Sequence, residues 1–144
     1  MKKLINVSMI YMIAALVAGV FYRELTKFNQ FTGKTTLSVT HTHLFILGVF
    51  VFLLLALFIK NDKDILESSL FKKFFILYNI ALPFFIIMLM TRGVVQVLNI
   101  QLSTAMNAMI SGIAGISHIL LAISFVYSLS FYEKNLFKPN RFFY

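Results

Sequence analysis

The stretch THTHLFILG, residues 40–48, heads the second of four long apolar runs in this chain. From it the sequence stays apolar to Ile59, long enough to cross the roughly 30 Å hydrocarbon core of a bilayer as a helix. His41 and His43 therefore stand where a membrane helix enters lipid. A ring nitrogen there needs water, a hydrogen-bond partner or a metal, because stripping it bare in hydrocarbon is costly. The third histidine, His118, falls inside the fourth apolar run. All three are candidates for one intramembrane site.

Three further runs share this character, and the pattern predicts helices over about 4–25, 39–59, 70–98 and 102–131. The expected fold is all-α, a polytopic four-transmembrane-helix bundle that forms one integral membrane domain over residues 1–144. Composition agrees: of 144 residues, 60% are apolar and 12% charged, a balance suited to lipid rather than water. The opening MKKLINVSMIYMIAALVAGVFYREL has the basic head of a signal peptide. Its apolar stretch is longer than a signal core and ends in no clear small-residue cleavage site, so it reads as a retained first helix.

The absence of cysteine excludes thiolate metal ligands, thiol catalysis and covalent haem attachment. The formal charge of +8 does not point to nucleic acid, since the basic residues lie mainly in short segments beside apolar runs, where they face lipid headgroups. With four spans, the N terminus, residues 60–73 and the C-terminal tail share one side and carry nine Lys or Arg. The opposite side has Arg23, Lys27 and Lys34 in its first connection and none in its last. The positive-inside rule then places both termini in the cytoplasm.

The connections read as loops. TKFNQFTGKTTLS, residues 26–38, suggests a turn at Gly33 and Lys34, with Ser38 or Thr40 capping the second helix. KNDKDILESS, residues 60–69, is a polar connector whose Asn61, Asp62 and Asp64 lack the spacing and closing glutamate of a calcium loop. Pro83 is expected to kink the third helix. Arg92 and Gln96 share a face near its far end, and Asn99 and Gln101 mark a very short turn. The fourth helix opens with Ser103, Thr104, Asn107, Ser111, Gly112 and Gly115, small or polar residues that allow close helix contact. Lys134, Lys138 and Arg141 alternate with aromatics in the tail, as at an interface.

Neutral imidazole ligates haem iron, copper and zinc. Residues two apart on a regular helix diverge by about 200°, so His41 and His43 face nearly opposite ways and do not naturally share one metal. One would serve the bundle interior and the other a second cofactor or an oligomer interface. A b-type haem suits the inventory: His43 and His118 as axial ligands on separate helices, apolar side chains around the macrocycle, and Arg92, with Arg23 as second choice, for a carboxylate edge. A leaner copper or zinc site would need His41, His43 and His118 to converge. There is no HExxH motif, so no protease or hydrolase is expected.

At HTHLFILG (41–48) and GISHILLA (115–122), and again at GVFYREL (19–25), the sequence resembles a family of small four-span bacterial membrane proteins known as domain of unknown function 2871. The resemblance covers nearly the whole chain and implies a bacterial cell membrane without implying an activity. A more distant likeness is to the haem-bearing subunit of haem-copper oxidases and nitric oxide reductases. There a His-x-His pair ligates two haems on opposite sides of one helix, and a histidine on another helix completes a low-spin pair. His41, His43 and His118 would match that pattern. The chain lacks the histidine cluster of a copper centre, and its four spans are a fraction of the twelve-helix subunit, whose pseudo-threefold arrangement a homotrimer here would resemble.

The expected function is that of a membrane haem- or transition-metal-binding protein in electron transfer with a redox partner, in gas or redox sensing, or in cofactor handling. Catalysis is left open. One alternative is a small transporter or channel with His118 and Arg92 lining a polar path, helped by Gln96 and Asn107. Another is a structural membrane partner whose histidines and small residues bind helices together.

Overall fold

A computed structural model describes the backbone of residues 1–59 and 63–136, with side chains at 63, 64 and 134–136 excepted. Lys60, Asn61 and Asp62 of the polar connector, and Lys138 and Arg141 of the tail, lie outside the described residues, as do the side chains of Asp64 and Lys134. Among the described residues, four helices are long and apolar enough to cross a membrane. They are α1 (Lys2–Phe28), α2 (Leu37–Phe58), α3 (Ser69–Val97) and α4 (Thr104–Leu136), with a short helix, Lys63–Glu67, before α3. No strand occurs among the described residues. Ile10, Val17, Leu57, Ile119 and Leu129 are each more than half exposed, as side chains facing lipid should be.

The packing order follows the chain. α1 lies along α2, the N-terminal part of α2 along α3, and α3 along α4. Among the described residues α4 has no other extensive interface, although Phe58 and Tyr132 bring it to α2 near the C-terminal ends of both helices, with ring centroids 5.9 Å apart. The bundle is therefore open on the side of α4. Every residue from Ser103 to Met109 is exposed.

Two glycines set how closely the helices approach. A Cβ at Gly48 would lie 2.6 Å from Cβ and Cγ of Tyr11, so only glycine lets α1 come this near. A Cβ at Gly93 would stand 2.6 Å from the backbone nitrogen of Leu37, where the start of α2 crosses α3. Around the first contact Tyr11 stacks on Phe52 at 5.8 Å, and Phe52 meets the edge of Tyr78 at 5.6 Å. Phe52, Phe74 and Tyr78 are fully buried at this centre.

Gly48 lies within a wide π-helical turn, Leu44–Phe50, in the middle of α2. Widening the turn disturbs the regular ladder of backbone bonds, and polar side chains from both neighbours meet its carbonyls. The Tyr78 hydroxyl donates to the Leu47 carbonyl at 2.8 Å, and the Ser8 hydroxyl to that of Val49 at 3.2 Å. The Tyr11 hydroxyl donates to Asn79 Oδ1 at 3.1 Å. Buried oxygens thus find partners without water.

Neither Ser38 nor Thr40 caps α2. Their hydroxyls donate backward to the carbonyls of Thr35 and Thr36, because the helix begins two residues earlier than predicted, at Leu37. The preceding threonines tie this start to α3. Thr35 donates to the Gly93 carbonyl at 3.0 Å and Thr36 to that of Leu89 at 2.8 Å, while the Thr36 amide donates to Gln96 Oε1 at 2.8 Å. The chain leaves α1 at Asn29 and Gln30, ahead of a bend at Gly33: Gln30 takes a positive φ of 49°, and the Phe31 amide returns to the Thr26 carbonyl. Asn99 closes α3 in the same manner, with φ 50° and the Ile100 amide on the Val95 carbonyl. α3 runs continuously through Pro83.

Candidate functional site

α3 and α4 run antiparallel and meet at intervals of seven residues, the spacing at which two packed helices come back into phase. Tyr78 meets Phe125 edge-on at 5.4 Å, and seven residues farther out Phe85 meets His118 edge-on at 4.5 Å. Seven farther still, Arg92 crosses to α4 and donates to Asn107 Oδ1 and Ser111 Oγ, both at 2.5 Å. An aromatic pair, a histidine pair and an arginine clasp thus form successive rungs of one seam.

His43 of α2 also meets the middle rung. Its ring lies 5.4 Å from that of Phe85, tilted by 60°. His43 on α2 and His118 on α4 therefore share Phe85 on the helix between them, which fixes both at the same level. His43 Nδ1 donates to the Val39 carbonyl at 2.7 Å, and His118 Nδ1 to the Ala114 carbonyl at 2.8 Å. A carbonyl only accepts, so each Nδ1 carries the proton. In the neutral ring that leaves the Nε2 lone pair free, the arrangement in which a backbone carbonyl orients a ligating histidine.

His41 faces the opposite way, as its spacing from His43 predicts. Gly19 of α1 lies opposite its ring, and its Nδ1 is buried without a hydrogen-bond partner among the described residues. No group of three His, Asp or Glu side chains is close enough to hold a metal among the described residues. The convergence of all three histidines that a copper or zinc site would need is absent within one chain. Arg23 is largely exposed on α1 and pairs with Glu24 at 3.4 Å, the interfacial ion pair that their adjacency suggests.

Arg92 has no carboxylate partner among the described residues. It borders an open cleft of about 280 Å³ where α3 ends and α4 begins, to which Gln96, Asn99, Gln101 and Asn107 also contribute. Asn107 and Ser111 both serve Arg92, and His118 bonds within its own helix. Sequence reasoning missed Phe85, an apolar residue among many. Counting back seven from Arg92 against seven forward from Ser111 would have paired it with His118.

A family described as "Protein of unknown function (DUF2871)" matches residues 1–135. No curated protein matches, and no solved structure matches, so the likeness to the oxidase subunit gains no support from comparison.

Proposed function

The chain belongs to the DUF2871 family, whose description assigns no activity, and from its own site we propose that it is a membrane protein that holds a haem, or another transition-metal cofactor, on His43 and His118. The observation that carries this reading is the shared state of the two imidazoles. Both sit against Phe85 at one level, both commit Nδ1 to a backbone carbonyl, and neither Nε2 has a protein partner among the described residues. Histidines that served only to join helices would bond across the interface, and these bond within their own helices.

The residues around the site fit an amphiphilic cofactor. Phe85 offers an apolar wall, and seven residues along α3 Arg92 supplies a cation with no carboxylate partner among the described residues, suited to a carboxylate edge, with Arg23 the second choice. When bound, haem or copper would supply one-electron redox or gas-binding chemistry. The protein's part is to fix the two imidazole tautomers and to keep the inner half dry through buried Phe74, Tyr78 and Phe131. His41, turned toward α1, is the candidate for a second ligand position.

His118 is exposed on α4, on the open side of the bundle. A second copy against this side, as in a homo-oligomer such as a trimer, would cover it. The charge bias puts both termini in the cytoplasm of a bacterial cell and the arginine clasp in the outer leaflet.

The test is the ultraviolet-visible spectrum and metal content of protein purified gently from native membranes, for the natural chain and for His118→Ala. A Soret band with stoichiometric iron, or stoichiometric copper or zinc, that is lost in the variant is expected. A featureless spectrum with no stoichiometric metal would overturn the reading. That result would favour the transport alternative, for which the cleft at Arg92 is the supporting feature.

A further inference from the structure

At the opposite end of the bundle, where α1 and α3 begin, lies a cleft of about 240 Å³. Its lining is mostly hydrocarbon, from Leu4, Leu66, Phe71, Phe75 and Ile76. Lys3 and Lys72 stand at the same cleft, one from each helix. The Lys3 ammonium sits 4.3 Å above the centre of the Phe75 ring, a cation–π contact that holds the charge over the cleft rather than out in water. Neither lysine pairs with a carboxylate among the described residues.

An apolar trough with two unpaired ammonium groups matches one kind of molecule at a membrane surface. We propose that this cleft is a binding site for an anionic phospholipid, whose phosphate lies between Lys3 and Lys72 and whose acyl chain follows Leu4, Phe75 and Ile76. The complementarity is of both kinds. Lys72, Phe75 and Ile76 lie three and four residues apart on one face of α3, so the cation and the apolar wall are aligned along the helix as headgroup and chain are along a lipid. Ile76 is 62% exposed, which leaves the trough open to the bilayer. By the charge bias this end faces the cytoplasm, where basic pockets between membrane helices meet anionic headgroups. The site is remote from the histidines and does not depend on their role.

The experiment is native mass spectrometry of the delipidated full chain in mild detergent, titrated separately with phosphatidylglycerol and phosphatidylcholine of equal chain length. One phosphatidylglycerol per chain should be retained in preference to phosphatidylcholine. Removing both charges in a Lys3→Gln, Lys72→Gln double variant should weaken that retention roughly 25-fold, at about fivefold per lysine. The Lys3→Arg, Lys72→Arg variant should keep it. A control double variant at the other end, Lys27→Gln with Lys34→Gln, should leave it unchanged. Equal retention of the two lipids, or unaltered phosphatidylglycerol binding by the charge-removed variant, would overturn the proposal. All four lysines are exposed, apart from the cation–π contact of Lys3, so the variants are expected to fold.

Discussion

His118 meets the ring of Phe85 edge-on, with centroids 4.5 Å apart and planes at 79°, while His43 approaches the same ring from another helix. An aromatic ring carries a negative face and a positive edge, so tilted and edge-on contacts of this kind are worth about 0.5–1.5 kcal/mol beyond burial. Phe85 is only 3% exposed and is locked in the core, which makes it the fixed reference for two imidazoles on helices that scarcely touch each other.

Phe85→Leu keeps most of the apolar volume and removes the ring that both histidines share. The expected outcome is a modest loss of stability, about 1 kcal/mol, with a larger fall in bound metal or haem relative to the natural chain. Thermal loss of helicity in detergent measures the first and metal content per chain the second. Cofactor occupancy that stayed intact would show that Phe85 does not position the ligands.

Gly48→Ala tests the closest approach of α1 and α2. The added methyl would meet Cβ and Cγ of Tyr11, atoms next to the backbone that cannot swing aside, so the helices themselves must part. Overpacking of this kind costs about 1–3 kcal/mol. A lowered unfolding midpoint is expected, and a similar or higher midpoint would contradict the geometry. Gly112→Ala is the matched control, since nothing lies within 4 Å of a Cβ there.

Much of this fold was legible in the sequence because lipid imposes length and polarity directly. Twenty or so apolar residues between polar connectors read as a span whatever the side chains pack against. The divergence of His41 and His43 was legible for the same reason, since it follows from the 100° turn per residue alone. What was hidden depends on register between helices. The Phe85 level requires knowing that α3 and α4 come into phase through Tyr78 with Phe125. The threonine ties from Thr35 and Thr36 to α3 join residues more than fifty positions apart. Nor does apolar patterning announce a π-helical turn, because Leu44–Phe50 is apolar on every face.

Tyr78→Phe probes that turn. The mutation deletes the hydroxyl that donates to the Leu47 carbonyl and leaves the ring, which is fully buried, in place. An unpaired buried carbonyl costs about 1–3 kcal/mol, so the variant should be destabilised within that range. If the helix can return to regular pitch, Leu47 finds an intrahelical donor and the loss shrinks. Amide hydrogen exchange across Leu44–Phe50 distinguishes the two: faster exchange is expected if the wide turn persists, and slower exchange if it closes.

The clasp of Arg92 on Asn107 and Ser111 joins α3 to a part of α4 whose residues are otherwise exposed. Its energy should appear as coupling rather than as the loss from any one substitution, because Arg92→Met also removes a charge and Asn107→Ala also changes helix propensity. A double-mutant cycle separates these. Hydrogen bonds between membrane helices measured in this manner contribute about 0.6 kcal/mol on average and up to about 1.7. The guanidinium is charged and engages two acceptors, so coupling toward the upper end is expected, reported by unfolding of the four proteins in the same detergent. The Arg92→Met variant should also free the outer turns of α4, raising hydrogen exchange between Thr104 and Ser111 while leaving the seam around Tyr78 and Phe125 protected. Coupling indistinguishable from zero, with exchange unchanged at both ends, would mean that the outer half of α4 is held by lipid alone and that Arg92 is free to serve a ligand without cost to the fold.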